Sequence, residues 1–369
     1  MLKSRRALLA AGISAVVIGT IGVASTLNAG AEEIPEGPAP AAAPVEAEEP
    51  LRTPPARLPW GAVPEDIQTG RDGASSGSLK VTGLDAAAPD ASGADAGEVY
   101  APKGRTTSRT NSLRRAETSV VPPAPPGINS KAAADSKVLY HYNVAAQDVV
   151  TQGAYANLTI HKPTLAKDDF HTLAELAVVA SKDKIDQAVE VGWTVNRAVN
   201  GDDDPHLFVY SWVDGVPQCY NGCGFEQYSK NIAPGDTLPM DTTKRFGIEF
   251  YDNAWWIAYD SEWVGYFPAK HWTIDFSKTT TVKMYGEVAS NPANSVPCTQ
   301  MGNGVSGSLE NTTAARIGSI SLIGTTTAPD PIAYTLGSPE YTIKKLSART
   351  LRYGGGPETQ ARKDACLGA

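Results

Sequence analysis

From residue 137 onward the sequence predicts an all-β fold, an antiparallel β-sandwich of two sheets. Three observations predict it: short runs rich in Thr, Tyr, Trp and Val, turn residues between them, and a helical pattern confined to a single stretch. The strand candidates fall at 138–143, 154–161, 189–196, 206–213, 245–251, 254–259, 262–267, 280–288 and 315–323. In 189–195 the side chains of Val189, Val191, Trp193 and Val195 share one face, leaving Glu190, Gly192 and Thr194 on the other. In the run near 285, Val282, Met284 and Val288 likewise oppose Lys283, Tyr285 and Glu287. Both glutamates therefore turn away from the apolar side of their strands. Tyr210 and Trp212, two apart, also share a face, while the adjacent Trp255 and Trp256 must point opposite ways, so one of them is structural. The helical competitor is 171–180, which fits a strand equally well.

The first third reads differently. Residues 1–31 predict an export signal: Lys3, Arg5 and Arg6 precede an apolar run from Ala7 to about Leu27, and Ala29, Gly30 and Ala31 offer small residues for cleavage. Ser4-Arg5-Arg6-Ala7-Leu8-Leu9 also has the form of a twin-arginine signal. An uncleaved anchor is the alternative, disfavoured because Gly12, Gly19 and Gly22 dilute the run. Residues 32–136 are rich in Ala, Pro, Gly and Ser with few aromatics, so they bury too little apolar surface to offset their ordering entropy. They predict a disordered leader, either a removable propeptide or a passive linker, ahead of a folded domain at 137–369. The net charge is −8 and the pI about 5.2, with no extended basic face, which argues against nucleic acid as a partner. The four cysteines, Cys219, Cys223, Cys298 and Cys366, lie in the exported part and predict two disulfides, for which three pairings are possible. A zinc site is the rival reading, but no histidine stands near either pair at a ligand spacing.

Eight motifs then occur in a meaningful order. They are Glu190-Val191-Gly192-Trp193, Gly201-Asp202, Leu207-Phe208, Cys219-Tyr220-Asn221 with Cys223 and Gly224-Phe225, Trp255-Trp256, Gly265-Tyr266-Phe267-Pro268, Gly286-Glu287-Val288, and Thr299-Gln300-Met301-Gly302-Asn303-Gly304. From about residue 140 to 322 the chain so resembles the catalytic domain of the neprosin family, glutamic endopeptidases known for cutting after proline. Two departures stand out: Tyr285 replaces the first of two glycines in the second glutamate motif, and the Cys219, Cys223 pair is one residue closer than in the family. The resemblance implies a concanavalin-like or jelly-roll-like sandwich whose concave groove carries Glu190 and Glu287 side by side as the catalytic pair. It also implies that 171–180 is a strand. Together with proximity in sequence, it favours Cys219 with Cys223, leaving Cys298 with Cys366, a long loop whose closure is worth about 4 kcal/mol in the chain-entropy model.

Paired carboxylates suit amide hydrolysis, because water needs a base to take its proton and the leaving nitrogen needs an acid. Two carboxylates in one site share a proton over an acidic window, so activity should peak at acid pH with no covalent intermediate and no metal or other cofactor. Tyr285, on the face of Glu287, is the leading substrate contact, joined by Tyr210, Trp212, Gln300 and Asn303; Gly192 and Gly286 would leave room for a substrate backbone. The rest of the catalytic inventory is empty: no Gly-x-Ser-x-Gly elbow, no His-Glu-x-x-His helix and no phosphate loop. The five histidines, His141, His161, His171, His206 and His271, are scattered and read as surface or packing residues. The expectation is a secreted monomeric endopeptidase acting on proline-containing peptide or protein, with no stable membrane association once the signal is cleaved. A β-sandwich glycosidase, which also uses two carboxylates, and a non-catalytic peptide- or carbohydrate-binding module compete with it.

Overall fold

The computed structural model describes residues 51–66, 117–118, 138–182, 185–218, 220–290, 297–357 and 360–367. The predicted export signal and most of the Ala/Pro/Gly-rich stretch lie outside the described residues. Among those described, the strands in chain order are β1 (Glu117–Thr118), β2 (Val138–Asp148), β3 (Gly153–Ile160), β4 (His171–Lys182), β5 (Ile185–Val195), β6 (His206–Val213), β7 (Val216–Pro217), β8 (Glu226–Gln227), β9 (Thr242–Tyr251), β10 (Ala254–Tyr259), β11 (Glu262–Pro268), β12 (Thr281–Ser290), β13 (Ala315–Ile323), β14 (Ile332–Leu336), β15 (Tyr341–Ser347) and β16 (Thr350–Gly355). Two short α-helices accompany them, α1 (Arg197–Asn200) between β5 and β6 and α2 (Gln360–Leu367) after β16. The stretch that sequence left open between helix and strand is the strand β4, buried along nearly its whole length between β12 and β5.

The strands form two antiparallel sheets packed as a sandwich. Sheet 1 runs β1-β2-β12-β4-β5-β6-β7, with β14 also pairing β2; sheet 2 runs β15-β16-β13-β3-β9-β10-β11-β8. Alternation assigns the faces. Val189, Val191, Trp193, Val282, Met284 and Val288 point inward and meet Phe246, Ile248, Trp255, Ile257 and Phe267 of sheet 2 in one continuous core. The polar atoms taken into this core are bonded: Trp193 Nε1 donates to the Thr159 carbonyl at 3.0 Å and Trp255 Nε1 to the Phe276 carbonyl at 2.7 Å. The hairpin from β9 to β10 turns on Asp252 and Asn253, both at positive φ (46° and 55°), the two-residue geometry that matches strand twist. Cys298 and Cys366 form a disulfide that ties α2 to the segment after β12. Cys223 is also disulfide-bonded, while Cys219 lies outside the described residues.

Residues 51–66, drawn from the stretch expected to lack structure, are built onto the outer face of sheet 2. Leu58 and Trp60 pack there against Ala254, Trp256, Ala258, Trp263 and Tyr266. Trp256 is thus turned to that outer face and Trp255 to the core between the sheets, as strand alternation requires.

Candidate active site

The outer face of sheet 1 carries both predicted glutamates. Its second hydrophobic cluster holds Tyr140, Tyr142, Leu173, Ala177, Phe208, Tyr210, Trp212, Tyr220 and Tyr285. Register fixes the layout. Across β2, β12, β4, β5 and β6 one row reads Val144, Tyr285, Glu175, Gly192 and Phe208; the row on one side reads Tyr142, Glu287, Leu173 and Thr194; the row on the other reads Ala146, Lys283, Ala177, Glu190 and Tyr210. The resemblance implied Glu190 and Glu287 side by side on inner strands; both strands are inner ones, but β4 runs between them. Glu175 of β4 lies on the diagonal from one to the other. Each diagonal step in an antiparallel sheet spans about 7–8 Å, so each outer glutamate is one step from Glu175 and the two are roughly 16 Å apart at Cα.

Each carboxylate has its own partners. Trp212 Nε1 donates to Glu190 Oε1 at 3.0 Å, and the Tyr285 hydroxyl donates to the same oxygen at 3.3 Å. His171 Nε2 lies 2.7 Å from Glu287 Oε1, and its Nδ1 lies 3.5 Å from the Tyr220 hydroxyl. Glu175, Glu287 and His171 are 0 % exposed and Glu190 1 %. Lys283 is buried in the same face; burial pulls its ammonium below the ordinary lysine range, and Asp186, Glu190, Asp148 and Glu175 pull it back up. The face is thus a row of acids among aromatic rings with one buried cation beside them. Tyr140 stacks on Tyr142 at 5.8 Å between centroids, and Tyr210 packs on Tyr220 at 5.0 Å.

The two motif glycines serve packing. A Cβ on Gly192 would stand 2.0 Å from the Ala174 carbonyl oxygen and 2.8 Å from the Glu175 Cα, so glycine is what lets β5 close on β4 beside the carboxylates. Gly286 faces the other way, into the sandwich, where a Cβ would come within 2.6 Å of the Tyr353 ring and 2.9 Å of Met301 Sδ. Met301 is fixed there by hydrogen bonds with Gly355 in both directions. The Met-Gly loop therefore braces the strand of Glu287 from beneath. Gln300 and Asn303 are engaged within that region: Gln300 Oε1 accepts from the Thr164 N–H at 2.9 Å, and Asn303 Nδ2 donates to the Thr313 carbonyl at 2.7 Å.

Of the residues proposed from sequence, the structure brings Glu190, Glu287, Tyr285, Tyr210 and Trp212 to one face. It adds Glu175, His171 and Lys283, which sequence reading passed over. Glu175 and His171 sit in the stretch left open between helix and strand; read with period two, 171–180 would have set both on one face. Lys283 already shared its face with Tyr285 and Glu287, but nothing in the sequence showed that the face would be buried.

A family model described as Neprosin matches residues 168–357. No curated protein gives a significant sequence match. Among solved structures, a Bacillus licheniformis β-glucanase is 9 % identical with a TM-score of 0.29, over 53 % of this chain and 86 % of its own. Chicken galectin 2 is 11 % identical with a TM-score of 0.24, over 40 % of this chain and 92 % of its own. The family match spans more than half of the sequence and contains both glutamate motifs; the chain belongs to the neprosin family, a peptidase-type family.

Proposed function

We propose that the protein is a glutamic endopeptidase that cleaves after proline, with Glu190 and Glu287 activating water and protonating the leaving nitrogen. The observation that carries this reading is the diagonal of Glu190, Glu175 and Glu287 on one aromatic face, each outer acid held by its own hydrogen-bond donors. Their separation favours divided roles over one proton held jointly. Glu190, beside Lys283 and accepting from Trp212 and Tyr285, is suited to remain a carboxylate and take the proton of water. Glu287 is suited to be the acid, with His171 replenishing its proton. The surrounding tyrosines and Trp212 offer ring faces to a proline side chain.

A polypeptide cannot reach acids that are 0 to 1 % exposed. We propose accordingly that the full-length chain is an exported precursor, inactive until it is processed. The test is digestion of a proline-rich protein and of a polysaccharide panel by processed protein. Peptide cleavage after proline that disappears in Glu190→Gln and Glu287→Gln supports the reading. Cleavage of sugars would favour a glycosidase, and full activity in both variants would remove the glutamate mechanism.

A further inference from the structure

On the side of the sandwich away from the acids, residues 51–66 lie across the outer face of sheet 2 without adding a strand to it. Their attachment is made of anchors and single hydrogen bonds. Pro55 and Leu58 are buried, Leu58 among Ala254, Trp256, Ala258, Trp263 and Tyr266. Trp263 Nε1 donates to the Pro55 carbonyl at 3.0 Å, the Arg52 N–H donates to the Tyr266 hydroxyl at 3.1 Å, Arg52 Nη1 donates to the Asp252 carbonyl at 2.8 Å, and the Glu65 N–H donates to the Ser261 carbonyl at 2.8 Å. Trp60 sits edge-on to Tyr155 at 5.9 Å and under the Arg245 guanidinium at 5.6 Å. The floor is built for close approach: Gly247, Ala254 and Ala258 line it, and a Cβ on Gly247 would stand 2.9 Å from Pro59 Cγ. Both ends of the segment stand out in solvent, with Leu51 60 % and Val63 59 % exposed. The occupant is turned: the Gly61 N–H donates to the Leu58 carbonyl at 2.7 Å and the Leu58 N–H to the Ala62 carbonyl at 2.8 Å, so a proline-stiffened turn presents Leu58 and Trp60 to a floor of small residues walled by indole and phenol rings.

We propose that this furrow is a peptide-binding site in its own right, selective for a proline-stiffened turn that carries a Leu and a Trp anchor, and that residues 51–66 are its resident ligand. A cut after Asp66 would then leave the leader fragment held without a covalent link, at a site remote from the glutamates. The inference stands whether or not the other face hydrolyses peptides. To test it, a site-specific protease sequence is inserted after Asp66 in the full-length chain, the protein is cut under native conditions and passed over a sizing column. The fragment bearing 51–66 is expected to co-elute with the body, and an excess of synthetic 51–66 peptide to displace it. A peptide with Pro54, Pro55 and Pro59 replaced by alanine should bind at least tenfold more weakly. Gly247→Val, which removes the space for Pro59, should release the fragment while the body keeps its near-ultraviolet circular dichroism. Separation of the wild-type fragment from a folded body would overturn the proposal, because chain continuity alone would then hold the segment. Unfolding of the body on cutting would overturn it equally, since the segment would be core and not ligand.

Discussion

Glu190 and Glu287 are tied to the same sheet face by different neighbours, and their replacement should separate chemistry from folding. Glutamine keeps the shape and the acceptor for Trp212 and Tyr285, so Glu190→Gln is expected to lower kcat/KM by about 10²–10⁴ while the thermal midpoint stays near wild type; Glu287→Gln should do the same. Tyr285→Phe removes one donor at 3.3 Å from Glu190 Oε1 and should cost only several-fold in rate, about 1 kcal/mol. His171→Gln should move the pH profile of kcat, which a purely structural role for His171 would leave in place. Both acids, Tyr285 and Trp212 were legible in the sequence: alternation sets their faces, and the neprosin-like motifs, not alternation, single out the two glutamates. Glu175 and His171 were hidden by a segment whose apolar run suits either period. Their meeting with the glutamates depends on register across three strands, and hydrogen bonding between distant segments leaves no trace in local composition.

At the scale of elements, the candidates at 206–213, 254–259 and 315–323 coincide with β6, β10 and β13; the first two are runs of apolar and aromatic residues bounded by turn residues. The strands β14, β15 and β16 were not anticipated. The first two are mostly half-buried or exposed, so burial imposes little pattern on them, and β14 is fixed by pairing with β2, far off in sequence. The disulfide fastens this last portion of the chain. Cys298 and Cys366 are 68 residues apart, and closing that loop restricts the unfolded chain by about 4 kcal/mol. Replacing both by serine should lower the stability measured by urea unfolding by about that amount. Between elements the tightest tolerance is at Gly192. Its Cβ would overlap the Ala174 carbonyl, so Gly192→Ala should push β5 from β4, lowering the thermal midpoint and the activity together.

For the molecule as a whole, two half-buried groups make stability depend on pH in opposite senses. Burial raises the Glu249 carboxyl to about 7 from an ordinary 4.5, so the folded chain takes that proton first and stability from this group grows as pH falls from about 7 toward 4.5. Burial lowers His271 from 6.5 to about 4, so its contribution is present above 6.5 and fades as pH falls toward 4. Glu249→Gln should therefore raise the thermal midpoint above pH 7 and match wild type near pH 4.5. His271→Gln should flatten the loss between pH 6.5 and 4. Thermal midpoints measured across that range decide both. By itself the sequence determined the all-β class, the strands that alternate and the two glutamates that turn from the core, because side-chain period is a local property of the chain. Only the tertiary structure decided that β4 separates those glutamates, that Glu175, His171 and Lys283 stand among them, and that residues 51–66 close the back of the sandwich. These depend on which distant strands pair and in what register, and that is chosen by the packing of the whole core.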